Sequence, residues 1–396
     1  MVQGRASEVL RFARDDKCNA SDEIVAMRIL IAPDKFKGAL DAREAAENIA
    51  KGLRDELPDT KIDIVSMADG GEGTAEAICD ARGGSWVKCK VHDPLGREIN
   101  ARYAWIESGK IAVMEMSEAA GMRRVSDAER DPVRTTTFGV GEMILHATKR
   151  GATEIIIGLG GSATNDGGSG MARALGFRFF DEEHDQELRD PVSELTGLKS
   201  IEKPKDLALP KIIAAVDVKN PLLGKNGATR VFGPQKDASK KEIDILERAL
   251  TRLADVITKE FDFDYRDEPG AGAAGGLGFG LMSFCGAKVR PGFDVVAGAI
   301  GLESKIKDAD VVVTGEGSLD QQTLEGKTPA GVARLARKFG KPVFAIVGRA
   351  SNDREVREMF KGVYENARAG MSQKENMRRA PELLRQNARE LGKTLS

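Results

Sequence analysis

Short apolar segments alternate along this chain with segments of helical periodicity, and this alternation constrains the fold more than any other feature. Residues 28–32 form an apolar run that ends at Pro33, and a second run covers residues 61–66. Between them, Asp41 and Glu44 have the spacing of a helix cap and its partner, and apolar residues follow at every fourth position. Strands separated by helices are typical of α/β proteins, so the pattern predicts an α/β fold.

The same signals continue to the end of the chain. They predict strands at 154–159, 211–216, 310–314 and 342–347. Helices are expected at 72–81, 138–149, 166–175, 240–259, 328–338 and 374–391. Residues 87–116 instead alternate apolar and polar side chains across two glycine-bearing turns, which predicts antiparallel strands.

The order of these elements indicates how the chain divides into domains. Its 396 residues are enough for two to three domains. Because βα units flank a hairpin region, we predict two α/β domains: a discontinuous Rossmann-like or flavodoxin-like domain over 27–82 plus 288–396, and an inserted mixed α/β domain over 83–287. Residues 1–26 are charged and lack an apolar core, so we expect a disordered tail without a secretory signal.

Composition argues against several classes of protein. The 60 Lys and Arg nearly balance the 62 Asp and Glu, which gives no support for nucleic-acid binding. No apolar run approaches the roughly 18 residues of a membrane span. Four cysteines without a CxxC pair and three histidines without HExxH argue against a disulfide framework and a zinc site. We therefore expect a reduced, cytoplasmic protein.

Glycine is the unusual component, with 44 copies, and its most informative cluster is the loop at 158–170. Gly160 and Gly161 remove side chains where a phosphate group would approach the backbone, and the helix that follows would direct its N-terminus at the loop. Asp166 would serve as a Mg²⁺ ligand or as a proton acceptor. The expected nucleotide-binding and phosphate-binding residues are Gly160, Gly161, Ser162, Ala163 and Thr164.

A second glycine-containing loop, at 314–327, follows another expected strand. It supplies the carboxylates Glu316 and Asp320 and the cation Lys327. Carboxylates that hold a metal beside a lysine that binds phosphate oxygens are typical of phosphoryl transfer. The segment is not a Walker A motif, because its Gly-Lys-Thr lacks the preceding glycine.

Two shorter strand-end loops also carry polar groups. Asp34, Lys35 and Lys37 follow the first strand, and Asp69 and Gly70 follow the second. Ligands of open α/β sheets bind at the carboxyl ends of strands, so we expect these loops and the two longer ones to share one cleft. Such a set without a histidine suits direct phosphoryl transfer between two bound molecules.

Two further features allow more than one interpretation. The glycine loop at 270–276 fits ligand binding and close helix packing equally, because it follows a proline instead of a strand. Asp217 follows the strand at 211–216, and a single carboxylate in such a position is more often structural.

Several longer motifs resemble those of the type I glycerate kinase family. In chain order they are IAPDKFKG, ADGGEGT, DPLGR, TTTFGVGE, GLGGSATNDGG, GPQK, GAGAAGGLG and TGEGSLDQQTLEGK. The resemblance runs from about Met27 to the C-terminus and implies phosphorylation of D-glycerate by ATP and Mg²⁺ in an interdomain cleft. It implies 2-phosphoglycerate as the product, and 3-phosphoglycerate less often. Neither nucleic acid nor membrane is an expected partner, and the oligomeric state stays open, a homo-oligomer included.

The motifs and the resemblance together assign roles to the strand-end residues. Asp166 or Asp69 would accept the hydroxyl proton, and the two remain alternatives. The metal would be held by Asp320, Glu316 or Asp166, and Asp320 is counted among the catalytic residues. Lys327 would assist the phosphate loop. The expected substrate-binding residues are Asp34, Lys35, Lys37 and Gly70.

Two other functions stay open. Residues 158–163 also fit the dinucleotide fingerprint G-x-G-x-x-A, with Asp181 roughly 20 residues further on, which would suit an NAD-dependent oxidoreductase. That fingerprint accounts for none of the other loops. The second alternative is a non-catalytic metabolite-binding protein of the same fold. Asp237 favours it, because it stands where the family usually has glycine and would bring an extra anion near the phosphates.

Overall fold

The structure is a computed structural model that describes residues 26–181, 186–189, 191–324 and 327–396. The tail expected over residues 1–26 therefore lies outside the described residues except for Ala26. The strands, in chain order, are β1 (Arg28–Ile31), β2 (Lys61–Ile64), β3 (Ser85–His92), β4 (Glu98–Ile106), β5 (Ile111–Glu115), β6 (Glu154–Gly158), β7 (Arg178–Asp181), β8 (Leu198–Glu202), β9 (Lys211–Val216), β10 (Lys288–Pro291), β11 (Val311–Thr314), β12 (Ser318–Leu319), β13 (Val343–Val347), β14 (Arg349–Ala350) and β15 (Gly362–Glu365).

Helices connect most of these strands, as the alternating signals predict. They are α1 (Ala42–Glu56), α2 (Thr74–Arg82), α3 (Ser117–Ala120), α4 (Phe138–Lys149), α5 (Ser169–Ala174), α6 (Ala228–Phe232), α7 (Lys240–Phe261), α8 (Ala273–Cys285), α9 (Gly292–Ile300), α10 (Leu302–Asp308), α11 (Gln321–Leu324), α12 (Thr328–Lys338), α13 (Arg354–Arg357), α14 (Gln373–Arg378) and α15 (Ala380–Leu395). Within the described residues, no helix is long and apolar enough to cross a membrane.

The first sheet contains five parallel strands in the order β15-β13-β11-β1-β2. Counted in chain order, these strands have the flavodoxin-like order 2-1-3-4-5. Its topological switch point lies between β1 and β11, where Ile31 pairs with Val313. A crevice at the carboxyl ends of these two strands is the usual ligand position in such a sheet.

The second sheet contains six strands in the order β10-β9-β6-β5-β4-β3. Its β3, β4 and β5 are antiparallel, which confirms the prediction for 87–116, whereas β5, β6, β9 and β10 are parallel. The strand at 288–291 pairs with β9 in this sheet, although the predicted boundary assigned it to the discontinuous domain. Pairing partners distant in sequence decide that assignment, and the domain limits themselves stay a prediction.

Helices α2 and α9 lie between the two sheets and share one core with both. That core joins Leu30 and Val312 of the first sheet to Val113 and Ile213 of the second. Helices α1 and α15 cover the outer face of the first sheet, and α4, α7 and α8 cover the outer face of the second. The result is five alternating layers of helix and sheet.

Local signals account for most of the element boundaries. Helix α1 begins at the predicted cap, where Asp41 and Glu44 form a reciprocal capping box that contributes about 1 kcal/mol. The last predicted helix is divided at Arg379 into α14 and α15, because Pro381 in the first turn of α15 cannot donate to the preceding turn. Helix α5 begins at Ser169, three residues after the predicted start.

Candidate active site

The switch point of the first sheet joins two of the predicted loops. The backbone N–H of Asp34 donates to the carbonyl of Gly315 at 2.8 Å, so the loops after β1 and β11 lie side by side. One carboxylate oxygen of Asp34 accepts from the Thr328 hydroxyl at 2.6 Å, and the other accepts from the backbone N–H of Lys35 at 2.7 Å. The carboxylate is buried at the floor of the cleft.

Two carboxyl groups at this switch point bind protons unusually tightly. Burial, followed by the negative charge of Asp69, raises the pKa of Asp34 to about 7. Burial is also the main cause that raises the pKa of Glu316 to about 8, and the Thr323 hydroxyl and Lys327 partly oppose it. Desolvation disfavours the charged form of a carboxyl group, so a cation bound here would recover a large electrostatic interaction.

The loop at 68–74 extends from the first sheet to the carboxyl edge of the second. Gly70 packs against Gly158 at the end of β6 and against Gly292 at the start of α9, where a Cβ atom on either partner would meet backbone. Glu115, at the end of β5, accepts hydrogen bonds from Gly73 (2.9 Å) and Ala75 (3.1 Å) at the start of α2. These contacts fix Asp69 and Gly70 between the two sheets.

The loop at 158–164 lies against the same segment. A Cβ atom on Gly160 would come within 2.6 Å of the Gly71 Cα, so the two loops touch through glycine backbone. The carbonyl of Gly161 accepts from Met122 at 2.9 Å, which holds the loop from its far side. The N–H groups of Gly160, Gly161 and Ser162 donate to no residue that the structure describes. Three unused donors on a glycine turn can bind the oxygens of a phosphate group.

Asp166 does not face this cleft. It has no solvent-exposed surface, and its carboxylate accepts from the N–H groups of Thr137 (2.8 Å), Gly168 (3.0 Å) and Gly170 (3.1 Å) and from the Thr137 hydroxyl (2.7 Å). A side chain therefore occupies the N-terminus of α5, which the sequence predicted would point at a ligand. The buried carboxylate orders the loop, and the same pattern explains why α5 begins late.

The glycine loop at 270–276 packs against residues 164–167, in the C-terminal part of the 158–170 loop. A Cβ atom on Gly275 would overlap the Thr164 carbonyl, and one on Gly276 would lie 2.9 Å from the Gly167 Cα. Ala274, Gly275 and Gly276 all have positive φ. Of the two interpretations left open by the sequence, close packing is the one that these contacts support.

Asp217, expected to be structural, lies in the cleft with the other charged residues. Solvent reaches its side chain, but the surrounding protein still desolvates it, and together with Asp69 this raises its pKa to about 6, whereas Lys327 and Lys35 lower it. Asp69 and Lys35 also act on Asp34, and Lys327 also acts on Glu316. The 314–327 loop and the loops after β1 and β2 therefore face one cleft, and the loop after β9, for which the sequence favoured a structural role, faces it as well.

A cavity of about 450 Å³ opens from this cleft between α1, α2 and the edge of the second sheet. Lys35, Lys37, Glu72 and Arg123 all line it, and the Lys35 ammonium donates to the Glu72 carbonyl at 2.5 Å. The Arg123 guanidinium lies 2.6 Å from Glu118 and 3.6 Å from the Glu72 carboxylate. No sequence signal distinguishes Arg123 from its neighbours, because only the long-range packing brings it to the cavity.

No three of the described Asp, Glu, His and Cys residues lie close enough together to hold a metal ion by themselves. Glu316 and Asp320 are nevertheless close enough for the charge of Asp320 to raise the pKa of Glu316. Mg²⁺ in phosphotransfer sites is commonly held by one or two carboxylates, substrate phosphates and water. The donor set therefore fits a metal bound together with a nucleotide, whereas Asp166 is turned away from it.

The structure bears on the two sequence features that favoured other functions, Asp237 and the dinucleotide fingerprint. Asp237 has φ of 65°, the left-handed conformation that favours glycine, and its carboxylate lies 3.7 Å from Arg130. The dinucleotide fingerprint lacks its context, because α5 begins only at Ser169 and Asp181 ends β7, which pairs with β8 outside the main sheets. The loop after β6 is therefore not a Rossmann glycine turn.

The fold and the cleft define an α/β protein in which strand-end loops of two sheets bring lysines and carboxylates together. A family model described as the glycerate kinase family matches residues 29–396. The chain is 46% identical over 333 residues to glycerate 2-kinase of Escherichia coli (strain K12), covering 83% of this chain and 86% of the relative. It is 44% identical over 330 residues to glycerate kinase of Bacillus subtilis (strain 168), with coverages of 83% and 86%.

A crystal structure from Salmonella typhimurium LT2, assigned as glycerate kinase 2, has the same fold. It superposes with a TM-score of 0.82 at 42% identity, and the match covers 93% of this chain and 98% of that one. The chain belongs to the glycerate kinase family. It is thus a kinase, a phosphotransferase class that implies ATP as the phosphate donor.

Proposed function

We propose that this enzyme phosphorylates D-glycerate on the 2-hydroxyl, with ATP and Mg²⁺, in the cytoplasm. The observation that carries the proposal is the meeting of strand-end loops from both sheets in one cleft. Direct phosphoryl transfer depends on positioning two molecules and on neutralising charge, and the cleft offers unused backbone donors, lysines and desolvated carboxylates for both tasks. The matched relatives named as glycerate kinases support the same substrate.

The phosphates of ATP would bind at the glycine turn that touches the 68–74 loop. The free N–H groups of Gly160, Gly161 and Ser162 are the donors, and Lys327, whose charge acts on Asp217 in the same cleft, would add a positive charge. Glu316 and Asp320 would hold Mg²⁺, which when bound neutralises phosphate charge and aligns the transferred group. The raised pKa of Glu316 means that its proton must leave before it can act as a ligand.

Glycerate would occupy the cavity beside Lys35 and Lys37. Its carboxylate would pair with Lys35, Lys37 or Arg123, because ammonium and guanidinium groups are the usual partners of a carboxylate. The Glu72 carboxylate, weakly paired with Arg123 at 3.6 Å, is the anion that the substrate would displace. Gly70 would supply close backbone approach, and Asp34 would face the hydroxyl groups.

The residue that accepts the hydroxyl proton is Asp69 or Asp217. Both lie at the cleft between the lysines, and the raised pKa of Asp217, about 6, suits a base that works near neutral pH. Asp166 is left out of the proposed mechanism because backbone N–H groups and the Thr137 hydroxyl already occupy its carboxylate.

The proposal is tested by incubating the purified protein with ATP, Mg²⁺ and D-glycerate and recording the phosphorus NMR spectrum of the product. We expect ATP consumption that depends on glycerate and the resonance of 2-phosphoglycerate. Accumulation of 3-phosphoglycerate would contradict the position of transfer, and an absence of ATP consumption would favour a non-catalytic binding protein. Titration with NADH serves as the control for the oxidoreductase alternative.

A further inference from the structure

A buried lysine contacts the 158–164 loop, in which we place the phosphate site. Lys236 ends the short 3-10 turn Pro234–Lys236, and only 1% of its surface is accessible, which makes it one of the largest fully buried side chains in the described chain. Its ammonium group donates to the backbone carbonyl of Thr164 at 2.6 Å. Lysine is almost never fully buried unless it is paired with a carboxylate, so this position needs an explanation.

The ammonium group is desolvated, and the loop that it contacts carries buried polar atoms without hydrogen-bond partners. Burial lowers the pKa of Lys236 to about 7, and the nearby charge of Asp166 acts in the opposite direction. Within the described chain, Thr164 Oγ1, Asn165 Oδ1 and Ser169 Oγ are buried without a hydrogen-bond partner. An apolar side chain of similar volume would avoid the cost of desolvating a charge. Packing alone therefore does not explain a lysine here.

The contact of Lys236 lies at the base of the loop, and other contacts hold the same base. Gly275 packs against the Thr164 carbonyl, and the N–H of Gly167 donates to the Gly275 carbonyl at 3.0 Å. The exposed part of the loop, at Gly160 and Gly161, is only three to four residues away along the chain. A displacement of the Thr164 carbonyl would therefore rotate the peptide groups that present the free N–H donors.

We propose that Lys236 is a positioning residue that fixes the Gly160–Ser162 turn through the Thr164 carbonyl and places a positive charge beneath the bound phosphates. This inference rests on the proposed function, because it takes the turn to be the phosphate site. The ammonium group does not contact the nucleotide, and it acts through the backbone of the loop. When the amine is protonated, its charge also adds to the field of the free N–H donors in a region of low dielectric, where screening by solvent is weak.

The test compares Lys236→Met with the unmodified enzyme. Isothermal titration calorimetry measures the affinity for two probes: the β,γ-imido analogue of ATP with Mg²⁺, and adenosine, which lacks phosphates. We expect the dissociation constant of the imido analogue to rise by about 10-fold or more, the scale of a lost charge-assisted interaction. The adenosine constant should not change, and the variant should stay folded, because methionine is apolar and of similar length, although the Thr164 carbonyl loses its hydrogen bond.

Two further variants keep the test decisive. Lys211→Met makes the same chemical change at an exposed lysine, which lies at the start of β9 and pairs with Glu154. It should change the affinity for neither probe. Lys236→Gln retains a donor for the Thr164 carbonyl without the charge. Its affinity for the imido analogue should therefore lie between those of the unmodified enzyme and Lys236→Met. A smaller loss in Lys236→Gln than in Lys236→Met separates the hydrogen bond from the charge.

The possible results distinguish failure of this inference from failure of the proposed function. Unchanged affinity for the imido analogue in Lys236→Met overturns this inference alone. Equal weakening of both probes with a lower melting temperature, or failure of both Lys236 variants to fold, assigns Lys236 a structural role and also overturns it. Failure of the unmodified enzyme to bind the imido analogue overturns the proposed function and this inference together.

Discussion

The hydroxyl of Thr328 donates to the carboxylate of Asp34 at 2.6 Å across a separation of 294 residues. Asp34 follows the first strand of the chain and Thr328 begins α12, so this hydrogen bond joins the two segments of the discontinuous sheet at its switch point. It also partly compensates a buried carboxyl group whose pKa is raised to about 7. The cleft is therefore assembled by contacts between segments that are remote in sequence.

We predict that the ligand-free enzyme becomes less stable as the pH rises from about 4 to 8 because of Asp34 and Glu316. Their folded pKa values, about 7 and about 8, exceed the values near 4 in the unfolded chain. Across that window the folded state therefore binds more protons than the unfolded state, and its stability falls with pH. Urea unfolding at pH 5 and pH 8 measures the decline.

A combined Asp34→Asn and Glu316→Gln variant should reduce this decline in the urea midpoint. Glu303→Gln serves as the control, because that carboxylate is exposed and its pKa is lowered by Lys307. An undiminished decline in the combined variant would show that other groups govern the pH dependence.

We predict that Asp217→Asn or Asp69→Asn lowers turnover by at least about 10²-fold, the low end of general-base effects. An amide retains the shape of the carboxylate but cannot accept the proton from the attacking hydroxyl. Steady-state kinetics with saturating ATP and glycerate identify which variant loses kcat with little change in KM. Near-normal kcat in both would leave the cleft without its proposed base.

Gly160→Ala is predicted to abolish most activity without unfolding the protein. Its added Cβ would come within 2.6 Å of the Gly71 Cα and force the two loops apart. The matched change Gly298→Ala places a methyl group in open space on α9 and should leave activity intact. Equal activities of the two variants would mean that the contact between the loops is unimportant for catalysis.

Arg123→Gln is predicted to raise the KM for glycerate by about 10-fold or more, since a charge-assisted hydrogen bond contributes roughly 1.5–3 kcal/mol. The KM for ATP should change little. Arg178→Gln removes an arginine that also pairs with two carboxylates, Glu187 and Glu202, but lies on β7 away from the cavity. Glycerate kinetics of both variants test the assignment, and a selective effect on ATP would contradict it.

The elements and the shared cleft could be predicted from the sequence because they depend on local periodicity and on one general rule. Apolar runs gave the strands, the Asp41 cap gave the start of α1, and the carboxyl ends of parallel strands bring Asp34, Asp69 and Glu316 together. Residue type and position along a strand are enough for such conclusions.

Properties that depend on packing between remote segments were beyond the reach of the sequence. Asp166 follows a glycine turn, as a ligand-binding carboxylate would, yet the backbone around Thr137 and Gly170 encloses it. Arg123 lies in no motif, and the GPQK motif that contains Lys236 does not reveal that this lysine is buried, because both environments depend on segments far away in the chain. The pairing of β10 with β9 is another non-local choice.

The position of α2 and α9 between the sheets has a consequence for motion. A hinge that opened the cleft by rotating one sheet away from the other would have to expose the apolar interior that both helices share with Leu30, Val312, Val113 and Ile213. Substrate entry and product release should therefore proceed by rearrangement of the surface loops, while the two sheets and the helices between them keep their relative positions. The two halves of the molecule are also expected to melt in a single cooperative transition.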